Sequence, residues 1–489
     1  MSIKLELSIE EQLEIFKNKT KHLNLIEPCT LGNGITKLDE FEKETYLNHF
    51  KNLLVEKTCV KFVPASGAAT RMFSDLFALK NTFKYPTIDA IETSTLKNKN
   101  ELIQFFKNLN SLPFYKKFKR ILGEDFKLKF IDNHTDLTEL INALLDESKL
   151  DLANKPKALI PFHNYYGLLR TPIYEHIQEA KEYAMSNGII SIHFTVSSEH
   201  QKKIQKRINR ISRYEVFTIN WSLSNQSSKT DTIAVDLENN PIYDDFGKYL
   251  TRPGGHGSLI FNLNKLDFDV VFIKNIDNVI TVPNNRESNK YKQMFAGYFY
   301  STQQELFNFA NRYVENPDDK NLKKEVIKYY KDTFYVKIED ENRIFEFINR
   351  PLRACAMVRN DGQPGGGPFF VKDTNGVSLQ IVESAQIDMT MDSNKSIVSK
   401  ATHFNPVDMI CGITDYKGEK FDLLDYVDEN TYFISKKTVN GKSIKALELP
   451  GLWNGAMANW NTIFVDMPSD YFNPVKTIFD LQNEKRIIN

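Results

Sequence analysis

Hydrophobic and polar positions along this chain switch repeatedly between the period of a strand and that of a helix. Residues 270–273 form a short apolar run, β-branched and aromatic, preceded by helical spacing from Ser258 onward. The pattern predicts a short helix leading into a fully buried parallel strand. The same change of period recurs upstream. An apolar run from Cys59 breaks at Pro64 and passes through small residues into a predicted helix from Thr70. Residues 158–162, 189–196 and 215–223 read as strands, and residues 171–186 as a helix ending near Gly188. Ser8 is placed to cap a first helix through Glu10, Glu11, Leu13 and Phe16, and a second covers residues 39–56. Residues 73–155 keep helical spacing, as in Leu102, Phe105, Phe106 and Leu109, and read as helices inserted beside the sheet. Residues 287–334 are helical with a break at Pro317, Asp318 and Asp319, and the PGGGP run from Pro364 to Pro368 marks a turn between β-like runs.

Alternation of this kind predicts an α/β fold, a sheet flanked by helices, with a helical insertion over 73–155 and a C-terminal β-rich part. Along the chain it divides into a helical segment over 1–56, an α/β core over 57–350 and a C-terminal part over 351–489. Ligands in open α/β sheets gather at the carboxyl ends of strands, where Asn275, Ile276, Asp277 and Asn278 fall. Asp277 is therefore the first candidate metal ligand, with a surface carboxylate as the alternative. Before the strand, Pro253, Gly254, Gly255, His256 and Gly257 form a turn whose glycines let the backbone approach a flat or charged ligand, or simply turn the chain. The loop Ser66, Gly67, Ala68, Ala69 and Thr70, between a strand and a helix, has the form of an anion cradle with Arg71 facing bound phosphates. Its alternative is a plain turn with a surface arginine.

Composition sets limits. Lys plus Arg and Asp plus Glu are both 63 among 489 residues, so no net field favours nucleic acid or an anionic membrane, and any phosphate site must be local. The basic helix through Lys202, Lys203, Lys206 and Arg207 reads as a solvated face. The first residues hold no apolar signal core and no run approaches a membrane span, so the expectation is a soluble cytoplasmic protein. Cys29, Cys59, Cys355 and Cys411 are scattered, which fits reduced thiols.

These motifs combine in order. A small-residue loop ending in Thr-Arg-Met, Pro156-Lys157 at a strand entrance, the Pro-x-Gly-His-Gly turn and Asn-Ile-Asp-Asn at 275–278 are similar to nucleotide-sugar pyrophosphorylases. The likeness is greatest to the uridylyltransferase branch that makes UDP-glucose and UDP-N-acetylhexosamines. That branch's C-terminal signature, an apolar strand, a proline, then Phe-x-Pro-Val-Lys-Thr and Asp-Leu, is echoed by VDMPSDYFNPVKTIFDL at 465–481. The chain also resembles a bacterial family of unknown function through PASGAATRM, RPGGHG, THFNPVD and LELPGLWNGAM.

The resemblance implies a Rossmann-like, GT-A-like nucleotidyltransferase core. It also implies a magnesium-dependent reaction in which a sugar 1-phosphate attacks the α-phosphorus of a nucleoside triphosphate and releases pyrophosphate. Carried onto this sequence, Arg71 matches the loop arginine that steadies pyrophosphate, Lys157 the lysine against the α-phosphate, and Lys476 the lysine at the sugar phosphate. Gly255, His256 and Gly257 match the turn along the nucleoside, and Asp277 the magnesium carboxylate. Glu383, Asn405 and Asn275 fall on the sugar side, Asp408 on sugar or metal, and Gln226 near the base. Two departures stand against the pattern: Ser66, Gly67, Ala68 and Ala69 replace a Gly-Gly-x-Gly loop, and the insertion separates Lys157 from Arg71. A nucleotide-sugar-binding protein on the same fold, or an enzyme acting on another phosphate-bearing substrate, stays open. With Asp277 read as lying outside the core, its removal is expected to leave the melting temperature nearly unchanged.

Overall fold

In the computed structural model, which describes residues 7–18, 22–67, 69–123, 131–362, 365–439 and 442–488, the Val270–Lys274 strand is buried along its whole length. It pairs in parallel with Cys59–Pro64, Val270 opposite Cys59, and antiparallel with Asp408–Gly412, Val270 opposite Gly412. The expected parallel strand is thus parallel on one side only, and the sheet is mixed. The structure is a mixed α/β one, with several multi-strand sheets and helices packed on them. Among the described residues no helix is long and apolar enough to cross a membrane.

The chain folds into two units, residues 1–62, 224–274 and 290–471 in one and 63–223, 275–289 and 472–489 in the other. Each gathers stretches distant in sequence, whereas divisions read along a chain can fall only between consecutive residues. The first unit is built on the central sheet. Leu352–Arg359 runs parallel to Asn461–Met467 and antiparallel to Asp408–Gly412. Val60, Phe62, Val271, Ile273, Met357 and Phe464 form its core with Leu259, Ile260 and Leu263 of the predicted short helix, Leu259–Asn264. Two smaller sheets belong to this unit, and one carries the first helix, Ile9–Asn18. That helix starts at Ser8 as predicted: Glu11 N donates to Ser8 Oγ at 3.2 Å and Ser8 N to the Glu11 carboxylate at 2.7 Å, a reciprocal cap.

The second unit contains the helical insertion, observed as Ser74–Thr82, Ile88–Glu92, Lys99–Lys107, Tyr115–Leu122 and Thr138–Leu145. Its apolar faces form one cluster in which Leu102, Phe105, Phe106 and Leu109 meet Val279, Val475, Ile478 and Leu481. A second cluster packs the helices Pro172–Tyr183 and Gln201–Ser212 against Ile190, Ile192 and Phe194 of the strand Ile189–Thr195. One expected strand is corrected. Residues 158–162 begin in a 3₁₀ turn, Lys157–Leu159, between Pro156 and Pro161, and the strand starts only at His163–Tyr165. Prolines at both edges remove the amide donors a ladder needs there. Ala68 of the small-residue loop and Pro364 of the PGGGP run lie outside the described residues.

His193, 5% exposed on Ile189–Thr195, faces Ser222 with Nδ1 to Oγ at 2.7 Å, and burial draws its imidazole down to about 4. The unfolded chain takes up a proton near pH 6.5 that the folded chain refuses, so this contribution is complete above pH 6.5 and is lost as pH falls toward 4. Urea titrations at pH 7 and pH 5 should show a loss of about 2 kcal/mol that is absent in His193→Gln. Equal pH dependence in the two proteins would contradict the assignment.

Candidate functional site

Three segments far apart in sequence meet in the second unit. Lys157 lies in the 3₁₀ turn after Pro156, Asp277 in the loop after Val270–Lys274, and Lys476 in the irregular stretch before the turn Phe479–Gln482. Lys157 Nζ donates to Asp277 Oδ2 at 2.9 Å and to the Val475 carbonyl at 2.9 Å, while Lys476 Nζ lies 3.4 and 3.3 Å from the two Asp277 oxygens. The Lys157 and Asp277 side chains are 15% and 11% exposed, and Lys476 is 47% exposed. Backbone bonds fix the loops: Val475 N donates to Asp277 O at 3.0 Å, Asn473 N to Asn278 Oδ1 at 2.9 Å, and Lys476 N to Asp480 Oδ2 at 2.8 Å. Burial by itself raises the Asp277 carboxyl; Lys476 and then Lys157 outweigh it and hold the group below the usual carboxylate range. Two ammonium groups share one carboxylate, so these three side chains together carry one positive charge in excess, the sign an anionic ligand needs.

The small-residue loop borders the same cluster. Ala69 N donates to Lys155 O at 3.2 Å, and Ile478 N to Met72 O at 3.0 Å, so the turn Ala69–Phe73 is tied to the segments bearing both lysines. Arg71, between those two tie points, is exposed and makes no hydrogen bond or ion pair with the described residues. Neither Gly67 nor Ala69 has a positive φ, and a Cβ on Gly67 would meet nothing within 4 Å. Neither of these two positions demands a glycine, so alanine at 69 is tolerated. Ser66 is half-buried, Thr70 is exposed, and Asn275, also half-exposed, has no side-chain partner among the described residues.

The other expected site residues lie in the first unit. His256 stacks on Trp453 with ring centroids 3.8 Å apart and planes 4° apart. Its Nδ1 accepts from Leu452 N at 3.0 Å, so the ring proton sits on Nε2 and is donated to Glu383 Oε1 at 3.2 Å; Trp453 Nε1 donates to the same oxygen at 3.2 Å. Burial raises the Glu383 carboxyl, but the His256 and Trp453 bonds bring it below its usual range. The expectations for Asn405 and Asp408 are corrected. The turn's glycines answer a packing need: a Cβ on Gly254 would lie 2.5 Å from Thr230 O, and one on Gly257 2.5 Å from Pro450 O, while Gly255, at φ +76°, lies against Glu448. Asn405 is spent on backbone, its Nδ2 donating to Ala356 O at 2.9 Å and its Oδ1 accepting from Val407 N at 2.9 Å. Asp408, 1% exposed, is ion-paired to Lys292, so it is no open metal ligand. Gln226 is half-buried in a loop and has no side-chain partner among the described residues. Reading the sequence missed Trp453, whose role depends on a stacking partner 197 positions away that no spacing announces.

The sequence matches, over residues 2–486, the family described as Domain of unknown function (DUF4301). The chain belongs to the DUF4301 family. No curated protein matches it. Among solved structures, this DUF4301 chain is similar to a uridine diphosphate N-acetylglucosamine pyrophosphorylase from Trypanosoma brucei, at 12% identity and a TM-score of 0.45, with 96% of this chain and 71% of that one covered. It is also similar to a UDP-glucose phosphorylase from Trypanosoma brucei, at 13% identity and a TM-score of 0.46, with 97% and 74% covered. A Leishmania major UDP-glucose pyrophosphorylase variant stands at 12% identity and 0.42, with 96% and 73% covered.

No group of three or more His, Cys, Asp or Glu side chains suited to a metal ion occurs among the described residues. Asp277 fits a magnesium ion that arrives with its phosphates, since that ion takes one or two carboxylates and draws its other ligands from phosphate oxygens and water. The burial of Asp277 also overturns the expectation that its loss would be silent. Asp277→Asn leaves the nearly buried Lys157 ammonium without its counter-charge and should cost about 2 kcal/mol in urea unfolding at pH 7. A change under about 0.5 kcal/mol would show that the pair is solvated after all.

Proposed function

We propose that this chain is a sugar-1-phosphate nucleotidyltransferase, converting a nucleoside triphosphate and a sugar 1-phosphate into a nucleotide sugar and pyrophosphate. The finer fold reading that goes with it is a GT-A-like nucleotidyltransferase core. The observation that carries the proposal is the Lys157–Asp277–Lys476 cluster, joined by backbone bonds to the loop that bears Arg71. In the reaction a sugar-phosphate oxygen forms a bond to the α-phosphorus, the bond from that phosphorus to the bridging oxygen breaks, and pyrophosphate leaves with the electron pair. Such chemistry asks a protein for alignment and for charge placed where phosphate oxygens accumulate it.

The two lysines divide that work. Lys157 is held twice at 2.9 Å and is nearly buried, so it is a fixed charge, suited to the α-phosphate. Lys476 is half-exposed at 3.3 to 3.4 Å, loosely enough to leave the carboxylate for an incoming dianionic phosphate. Arg71, exposed and without a partner among the described residues, is suited to the departing pyrophosphate. Asp277 is the residue that would hold magnesium, which when bound neutralises phosphate oxygens.

Pyrophosphate exchange across a panel of nucleotide sugars tests the reading. Lys476→Met should keep the fold and lower kcat/KM by about 30- to 1000-fold, the loss of one preorganised charged donor. Nucleotide-sugar binding without exchange by the wild-type protein would favour a binding protein instead, and wild-type kinetics in the variant would remove Lys476 from the site.

A further inference from the structure

Behind the lysine cluster lies a buried polar chain that its chemistry does not use. Arg486, 3% exposed, donates from Nε to Asp480 O at 2.8 Å. Its Nη1 donates to Val279 O at 3.2 Å, and its Nη2 to Asn473 O at 3.1 Å and Pro474 O at 3.3 Å. Three of these carbonyls flank Lys476 on both sides, and the fourth lies two residues beyond Asp277. One planar guanidinium thus spans both loops.

Its orientation is set in turn. Arginine only donates, so His163 Nε2, 3.0 Å from Nη1, accepts, and the imidazole proton lies on Nδ1, directed at Glu175 Oε1 at 2.8 Å. Burial, with Arg486 beside it, holds His163 well below the usual imidazole range, in keeping with a neutral ring. Tyr165 donates to the other Glu175 oxygen at 3.1 Å and accepts from Val282 N at 2.7 Å. His163 and Glu175 are 0% and 1% exposed. From the same helix, Pro172–Tyr183, His176 Nε2 donates to the carbonyl of Ile276, the residue before Asp277.

A buried Arg–His–Glu chain is a poor way to gain stability, because desolvating its charges consumes most of what their attraction returns. It does supply direction: a guanidinium fork accepts only one arrangement of the carbonyls around it. We infer that Arg486 is a positioning residue for the anion site, fixing the Lys476 and Asp277 loops at the separation that lets both lysines reach one carboxylate. It touches no ligand and acts through those two loops. The inference deepens the nucleotidyltransferase reading and rests on it for the identity of the anion, not for the geometry.

The test uses full-length protein and a readout independent of enzymatic activity. Acetic anhydride labelling, read by peptide mass spectrometry, should modify Lys157 about tenfold more slowly than exposed lysines such as Lys202, because its ammonium is held twice and shielded. Arg486→Lys keeps the charge but cannot bridge four carbonyls; it should remove most of that protection and weaken inorganic pyrophosphate binding about tenfold, with an unchanged circular dichroism spectrum. Millimolar guanidinium should restore both in Arg486→Ala. Protection of Lys157 unchanged within about twofold in folded Arg486→Lys overturns the inference. If neither Arg486 variant folds, Tyr165→Phe decides, since it releases only the far end of the chain, and unaltered Lys157 protection there counts against the role. Loss of protection in a protein whose wild type binds no pyrophosphate would retain the positioning role and sink the phosphate reading.

Discussion

One carboxylate carrying two ammonium groups is the constraint on which the second unit depends. Asp277 is 7% exposed, and a carboxylate removed from water to that degree without cations would cost several kcal/mol. Its partners come from 120 and 199 residues away. Sequence distance is the smaller obstacle, because loop-closure entropy grows only with the logarithm of length. Desolvation is the larger, so the loops must arrive together and stay in register. The product is a cluster with one positive charge in excess, favourable to a phosphate and costly for a bare cation that arrives without one.

The apolar support for that cluster comes from the helical insertion. Leu102, Phe105, Phe106 and Leu109 share a core with Val279 beside Asp277 and with Val475, Ile478 and Leu481 around Lys476. Gln482 Nε2 adds bonds to Phe105 O at 2.9 Å and Asn108 O at 2.8 Å. Segments 275–279 and 472–478 have almost no regular structure, and they are held by side chains buried beneath them rather than by ladders of their own. An insertion that has no counterpart in the pyrophosphorylase resemblance is thus part of what makes the charged loops rigid.

What the sequence made legible follows the range of each interaction. The Ser8 cap, the break before Asp319 and the buried run at 270–273 are local, set by neighbours within about a helical turn or a strand, and they were readable. Lys157, Asp277 and Lys476 could be named only because motif order matched a family; nothing in composition or period brings them together. Arg486 carried no signal at all. Its partners are four backbone carbonyls and a histidine, which any sequence can offer, so only the closed fold shows why an arginine stands there. Asn405 and Asp408 erred the other way, since polar residues in a conspicuous motif were spent inside the protein on a backbone turn and on Lys292.

The Pro-Gly-Gly-His-Gly turn shows how such a motif still bears on chemistry. Glycine is required at 254 because Thr230 O and the Leu449 side chain occupy the place of a Cβ, at 257 because the Leu449-Pro450 backbone does, and at 255 because of its φ of +76°, while Gly451 in turn makes room for the His256 ring. That close packing locks His256: Nδ1 is taken by Leu452, one face by Trp453, and Nε2–H by Glu383. With both nitrogens committed, the imidazole has nothing left to offer a nucleoside except its second face. Its effect is instead on Glu383, whose Oε1 receives two fixed donors and which therefore stays ionised and aimed in one direction. The reason for the glycines is packing, and the chemical consequence of that packing is an oriented carboxylate 127 residues further along the chain.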